Sequence, residues 1–271
     1  MPNMHVNVEA LNLRSSPGPA TPETFKLRLH LGQVVEVNGN EQAGWLPVNV
    51  PLPGGNKTGF VKAVLPPGPS TSGSELPSLR APAPPAREAL VSAAVVEWAR
   101  FKFGQGKETV DPFFRFVGQM WQAIDLPHDG HDADIPWSAA AISFMVRNAA
   151  VHAPKYNGFV FNGSHSRFVH DAIKRSGKAA APFWGVRLHE HMPQIGDLIA
   201  RSRVQPITFE QASVSGSFKS HTDVVVSVRP DEVLALGGNV SDSVSITRYA
   251  KTPAGFIADS TGVFALLVNR A

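Results

Sequence analysis

Three side chains in the second half of the chain have the types and surroundings that nucleophilic chemistry needs: Ser138, His221 and Asn239. Ser138 follows Pro136-Trp137 and opens a run of small and apolar residues, Ala139 through Val146. Proline suits the first turn of a helix, because its missing N–H would be unpaired there. The sequence therefore predicts a buried helix starting within 136–138. Free N–H groups and the helix dipole at such a start favour negative charge. A hydroxyl there is well placed for an attack that creates an oxyanion. The competing reading is that Ser138 is only a helix cap, a position serine favours. His221 enters the strongly β-branched segment Thr222-Asp223-Val224-Val225-Val226, and Asn239 follows Gly237-Gly238 at the end of the next predicted strand.

Other titratable residues are weaker candidates. Trp137, His165 and Asp223 are secondary candidates for the same cleft; His165 follows Ser164 at a predicted helix start, where a surface or capping histidine is the simpler account. The run His128-Asp129-Gly130-His131-Asp132-Ala133-Asp134 invites a metal reading, but ligands must converge, and a solvated loop leading into the Ser138 helix explains it as well. His189 and His191 flank Glu190 at a spacing that shares a face only on a strand. Neither group enters the candidate site, for which no metal and no cofactor are expected.

The elements that must position these residues fall into three segments. Residues 1–66 carry short alternating stretches, such as Phe25, Leu27 and Leu29 interleaved with Lys26 and Arg28, separated by Gly/Asn/Pro turns. They predict a small β-barrel. Residues 67–86 are rich in Pro, Ser and Gly and read as an extended linker. Residues 87–271 begin with helical spacing (Leu90, Ala94, Trp98, Phe101; then Phe113, Val117, Trp121) and end in strands around 220–228, 232–236, 243–249 and 264–268. The aromatic residues of these helices read as core. Helices followed by strands predict an α+β domain.

Composition narrows the chemistry. The 271 residues contain no cysteine, which excludes disulfides, cysteine-ligated metal and a thiol nucleophile. Net charge is only +3 and no Lys/Arg block occurs, so a nucleic-acid partner is not expected. No apolar run is long enough to span a bilayer. Met1-Pro2-Asn3-Met4-His5-Val6 has neither a basic nor an apolar region of the signal-peptide kind. The expectation is synthesis in the cytoplasm without a signal peptide.

Two resemblances add to this. Leu11-Asn12-Leu13-Arg14-Ser15-Ser16-Pro17, Gly32 to Val37, Gly44-Trp45-Leu46-Pro47-Val48 and Thr58-Gly59-Phe60-Val61 resemble, in this order, the bacterial SH3-like domains found beside cell-wall enzymes. The resemblance implies a barrel that binds cell wall; a packing appendage is the alternative. Residues 134–250 resemble the papain-like cell-wall amidase superfamily that includes NlpC/P60 and CHAP, and most closely the bacterial DUF2272 domains within it. The matching pieces are Pro136-Trp137-Ser138-Ala139-Ala140, Pro193-Gln194-Ile195-Gly196-Asp197-Leu198, His221 before Val224-Val225-Val226, and Gly237-Gly238-Asn239-Val240-Ser241-Asp242 with Arg248-Tyr249. The resemblance implies a papain-like fold, with nucleophile, base and orienter in the order Ser138, His221, Asn239. It also implies hydrolysis of peptidoglycan amide bonds. Action in the periplasm or at the wall would then require export by another route. Delivery as an antibacterial toxin would imply a cognate immunity protein.

One departure stands out. The CHAP-like pattern has Cys where this chain has Ser138. A thiolate is stable beside an imidazolium, so a neutral Asn suffices to orient the histidine. Serine needs its base to become imidazolium during attack, and exchanging the supporting carboxylate for Asn costs about 10⁴ in kcat in serine proteases. Asp197, Asp223 and Asp242 are the carboxylates near enough in sequence to supply that support. The alternatives are a binder of the same fold without chemistry, a serine esterase, or a Cys replaced by Ser to hold the domain inactive.

Overall fold

Alternating apolar residues build the first unit, and two adjacent glycines and an unbroken valine run build the second. A computed structural model describes residues 2–18, 21–66, 75–258 and 262–271. The chain divides into two compact units, residues 1–83 and 84–271.

The first unit contains β1 (Asn3–Val6), β2 (Ala10–Arg14), β3 (Phe25–His30), β4 (Val34–Val37), β5 (Trp45–Val50), β6 (Lys57–Lys62), β7 (Val64–Leu65), β8 (Leu76–Pro77) and β9 (Leu79–Arg80). Seven of them form one antiparallel sheet in the order β3-β2-β6-β5-β4-β1-β9, and β7 pairs with β8. Period-two alternation sends Leu11, Leu13, Val48, Val50 and Val61 into a shared core with Val6 and Val35. Two expectations change here. The sheet is open at β3 and β9 among the described residues, so the predicted barrel is not closed. The predicted linker also differs. Residues 76–77 and 79–80 are strands, with Leu76 and Leu79 buried, and β9 covers the otherwise free edge of β1. Two leucines and an open sheet edge outweigh the flanking prolines. Residues 67–74 of that segment lie outside the described residues.

The second unit contains α1 (Pro85–Arg100), α2 (Phe113–Gln122), α3 (Ser138–Ala150), α4 (His165–Lys174), β10 (Phe183–Val186), β11 (Leu198–Ser202), α5 (Phe209–Val214), β12 (Ser220–Val228), β13 (Glu232–Gly237), β14 (Ser245–Ala250) and β15 (Val263–Asn269). The predicted α+β class holds. All six strands pair antiparallel, in the order β10-β15-β11-β12-β13-β14. The helices do not all precede the strands, since α5 falls between β11 and β12.

The alanine-rich face of α3 permits close packing. Ala139, Ala140, Ala141 and Ile142 are buried, and α3 lies against α1, α2, β12 and β13. On the far side, Gly238 permits the contact. A Cβ built there would stand 2.3 Å from the Ala141 Cβ and 2.7 Å from the Trp137 ring. Trp137 stacks on Phe101, with ring centroids 5.6 Å apart, and its indole N–H donates to the buried Glu108 carboxylate. It is a core ring, 1 % exposed. Among the described residues no helix is long and apolar enough to cross a membrane.

Candidate active site

Trp137, not Ser138, occupies the cap position of α3, and its carbonyl accepts the first helical hydrogen bond, from the Ala141 N–H at 2.9 Å. Ser138 is the first helical residue. Its hydroxyl is therefore not spent on capping, and it meets a histidine instead. The Ser138 Oγ lies 2.7 Å from His165 Nε2. His165 is in turn the first residue of α4, so the starts of two helices converge on this contact. The loop before α4 is held to α3 by Ser143, whose Oγ donates to the Asn162 carbonyl at 3.0 Å and accepts from the Asn162 N–H at 3.1 Å.

The other ring nitrogen of His165, Nδ1, is 2.7 Å from the Thr222 hydroxyl on β12. The His165 pKa lies well below its ordinary 6.5: burial is the largest cause, and the neighbouring His221, Arg203 and Arg201 add to it. The dipole at the start of α4 acts in the same direction. His165 is therefore neutral at neutral pH. With its proton on Nδ1, donated to Thr222, Nε2 is free to accept from Ser138, the arrangement a general base requires.

His221 stands beside this pair, its ring centroid 5.2 Å from that of His165. Its Nε2 is 2.8 Å from Asp223 Oδ1. Two residues apart on β12, the side chains of His221 and Asp223 project to the same side of the strand. Tyr249 on β14 donates its O–H to the second Asp223 oxygen, and Arg201 Nε lies 3.9 Å from it. Burial alone would raise the Asp223 carboxyl. His221 first, then Tyr249 and Arg201, outweigh it, and the carboxyl stays below its ordinary 3.8. The Tyr249 phenol is pushed well above 10, by burial and then by the Asp223 charge, so it remains a donor. Gly237 makes the pair possible. A Cβ at that position would stand 1.7 Å from Asp223 Oδ1 and 3.0 Å from His221 Nε2.

The fold thus brings Ser138, His165, Thr222, His221, Asp223 and Tyr249 together. The partner on His221 Nε2 is Asp223. Asn239, the residue expected there, lies half-buried just beyond β13 with left-handed backbone, φ 54°. Sequence reasoning gave no role to Thr222, Tyr249 or Arg201. A β-strand signal was present at Thr222 and Tyr249, but which neighbours all three face depends on strand register; Arg201 and His221 are cross-strand partners. In the 128–134 run, Asp129 and Asp132 accept from backbone N–H groups of the same loop. Among the described residues no group of three or more metal-ligating side chains converges.

A family model described as "Uncharacterized protein conserved in bacteria (DUF2272)" matches residues 106–267, more than half of the chain. The chain belongs to the DUF2272 family. The DUF2272 match runs from before α2 into β15 and contains every residue of the Ser138 cluster; α1 and the first unit fall outside it. No curated protein and no solved structure matches the chain. Chemically, the DUF2272 cluster offers a hydroxyl on a neutral imidazole, unpaired N–H groups at the start of α3, and a buried carboxylate one ring away.

Proposed function

We propose that the second unit is a papain-like amide hydrolase acting on peptidoglycan, with Ser138 as nucleophile and His165 as its immediate base. The observation that carries this is the 2.7 Å contact between Ser138 Oγ and His165 Nε2 at the start of a buried helix packed on an antiparallel sheet. In the reaction, Ser138 Oγ bonds to the carbonyl carbon of the amide while its proton passes to His165 Nε2. The oxyanion forms against the free N–H groups at the start of α3. Collapse breaks the C–N bond, and His165 returns the proton to the leaving amine. A water, deprotonated by His165, then releases the acyl group from Ser138.

This reading differs from the family order in its base and in its carboxylate. His221 holds Asp223 next to the site, while the second nitrogen of the His165 base faces the Thr222 hydroxyl. The first unit, with its SH3-like sequence motifs, is the wall-binding module in this proposal. Action in the periplasm or at the wall after non-classical export follows, and a toxin of this kind would be matched by an immunity protein in its producer.

Incubation with purified sacculi, followed by chromatography of the released muropeptides, tests the proposal. New products that vanish in Ser138→Ala and persist in Ser138→Cys are expected. No products from either the Ser138 or the Ser138→Cys protein would sink it. A second reading, a wall binder of the same fold without chemistry, is favoured by one observation: Ser138 is 1 % exposed and His221 2 %. Binding to sacculi without cleavage, unchanged in His165→Ala, would select it.

A further inference from the structure

The first unit holds a cleft that none of the preceding chemistry uses. The strands β3, β2, β6 and β5 lie side by side, and Arg28, Arg14, Lys62 and Trp45, from these strands in turn, line it. The cavity measures about 380 Å³, and among the described residues no acidic side chain lines it. Leu11, Leu65 and the Trp45 ring supply its apolar wall.

Arg14 and Lys62 are anchored but not neutralised. Arg14 is 8 % exposed, and a buried guanidinium is costly unless paired with an anion. Its Nη1 donates to the Thr24 hydroxyl at 3.2 Å, and its guanidinium carbon lies 6.0 Å from the Trp45 ring centroid. Lys62, the cross-strand partner of Trp45, sits with Nζ 5.4 Å from the same ring. Gly44 gives that ammonium its room, since a Cβ there would come within 2.9 Å of Nζ. Cation–π contacts fix the positions of Arg14 and Lys62 without cancelling their charge. Among the described residues, no salt bridge engages Arg14, Arg28 or Lys62. Three like charges around one cleft repel each other, and an arriving anion relieves that repulsion.

We infer that this cleft is a binding site for an anionic group, a carboxylate or a phosphate monoester, carried on a short apolar body that packs on Trp45. The guanidinium fork of Arg14 matches two oxygens of either anion, and Lys62 and Arg28 add point charge at the rim. The inference does not depend on the hydrolase reading, and it can succeed or fail separately from it.

The test is an NMR titration of the full chain, following the Trp45 indole N–H, identified as the signal lost in Trp45→Phe. The probes are N-acetylalanine, its uncharged amide N-acetylalaninamide, and isopropyl phosphate. A saturable shift with at least one anion and none with the amide is expected. Affinity should fall about tenfold in Lys62→Gln and in Arg28→Gln, and should weaken as salt is raised. Response to the carboxylate alone, or to the phosphate alone, identifies the source. Arg28 is exposed, so its variant keeps the fold, and an unchanged melting temperature checks this. No saturable shift with either anion, an equal response to the amide, or wild-type affinity in both variants overturns the inference.

Discussion

Two carboxylates, Asp197 and Asp223, sit fully buried in the same sheet region of the second unit, and their surroundings push them in opposite directions. Asp197 is raised above its ordinary 3.8, because burial outweighs Arg87 and the backbone donors; Asp223 is lowered, because His221, Tyr249 and Arg201 outweigh burial. Asp197 accepts from Arg87 Nη1 at 2.8 Å and from the Asn269 and Gln194 N–H groups at 2.9 and 2.8 Å. Arg87 also reaches the Ile195 carbonyl, and Asn269 donates to the Tyr156 hydroxyl, which is pushed up to about 12, mainly by burial. This network fastens α1 to the lead-in of β11 and to the end of β15. Its donors to the carboxylate are a guanidinium and two backbone N–H groups. The Asp223 network is instead built from a histidine and a phenol, and a second histidine beside it touches a serine hydroxyl. The first arrangement is a fixed fastener, while the second holds protons that can move.

Substitutions can break or sharpen that contrast. The largest effect expected is on chemistry. If the hydrolase proposal holds, His165→Gln should lower muropeptide release about 10²–10⁴-fold, the usual share of a general base, with little change in denaturation midpoint. An unaffected rate would remove His165 from the mechanism. On the structural side, Arg87→Ala should cost about 3–5 kcal/mol in chemical denaturation, since it strands a buried charge. The double change Arg87→Leu with Asp197→Leu should recover most of that loss; if it does not, the Asp197 network is more than a fastener. Tyr249→Phe deletes one donor to a buried carboxylate and should cost about 1–3 kcal/mol by the same measurement.

The smallest effect lies in pH dependence. Below about 6.5 the unfolded chain protonates the histidine at 165 while the folded chain does not, so stability falls with pH there. The slope from this one group is at most about 1.4 kcal/mol per pH unit, and it should be absent in His165→Gln. At lower pH the carboxylates act in opposite directions. Asp223 contributes stability above 3.8 that is lost as pH falls through its lower folded value. Asp197, raised, favours the folded state below 3.8 and loses that contribution as pH rises through its folded value. Urea denaturation series on Asp223→Asn and Asp197→Asn should therefore show pH slopes of opposite sign relative to the parent.

Much of this molecule was legible from residue order. The predicted start of a buried helix at 136–138 and the β-branched strand at 220–228 both appear, because proline placement and period-two patterning act over a few residues. The open sheet of the first unit was less legible. Nothing local marks Leu76 and Leu79 as strand residues amid prolines; their partners are Leu65 of β7 and Val6 at the otherwise free edge of β1. The sequence also supplied Ser138, a choice of histidines and a choice of carboxylates. Which of them meet was decided by packing. The alanine face of α3 and Gly238, just after β13, let the helix start and the sheet approach closely, and α4 then delivers His165, rather than His221, to Ser138. Likewise Gly237 leaves room for Asp223, not Asn239, against His221. The contacts of Ser138 with His165, of His165 with Thr222 and of Tyr249 with Asp223 join residues 27, 57 and 26 positions apart, through helix placement and strand register that no local pattern encodes.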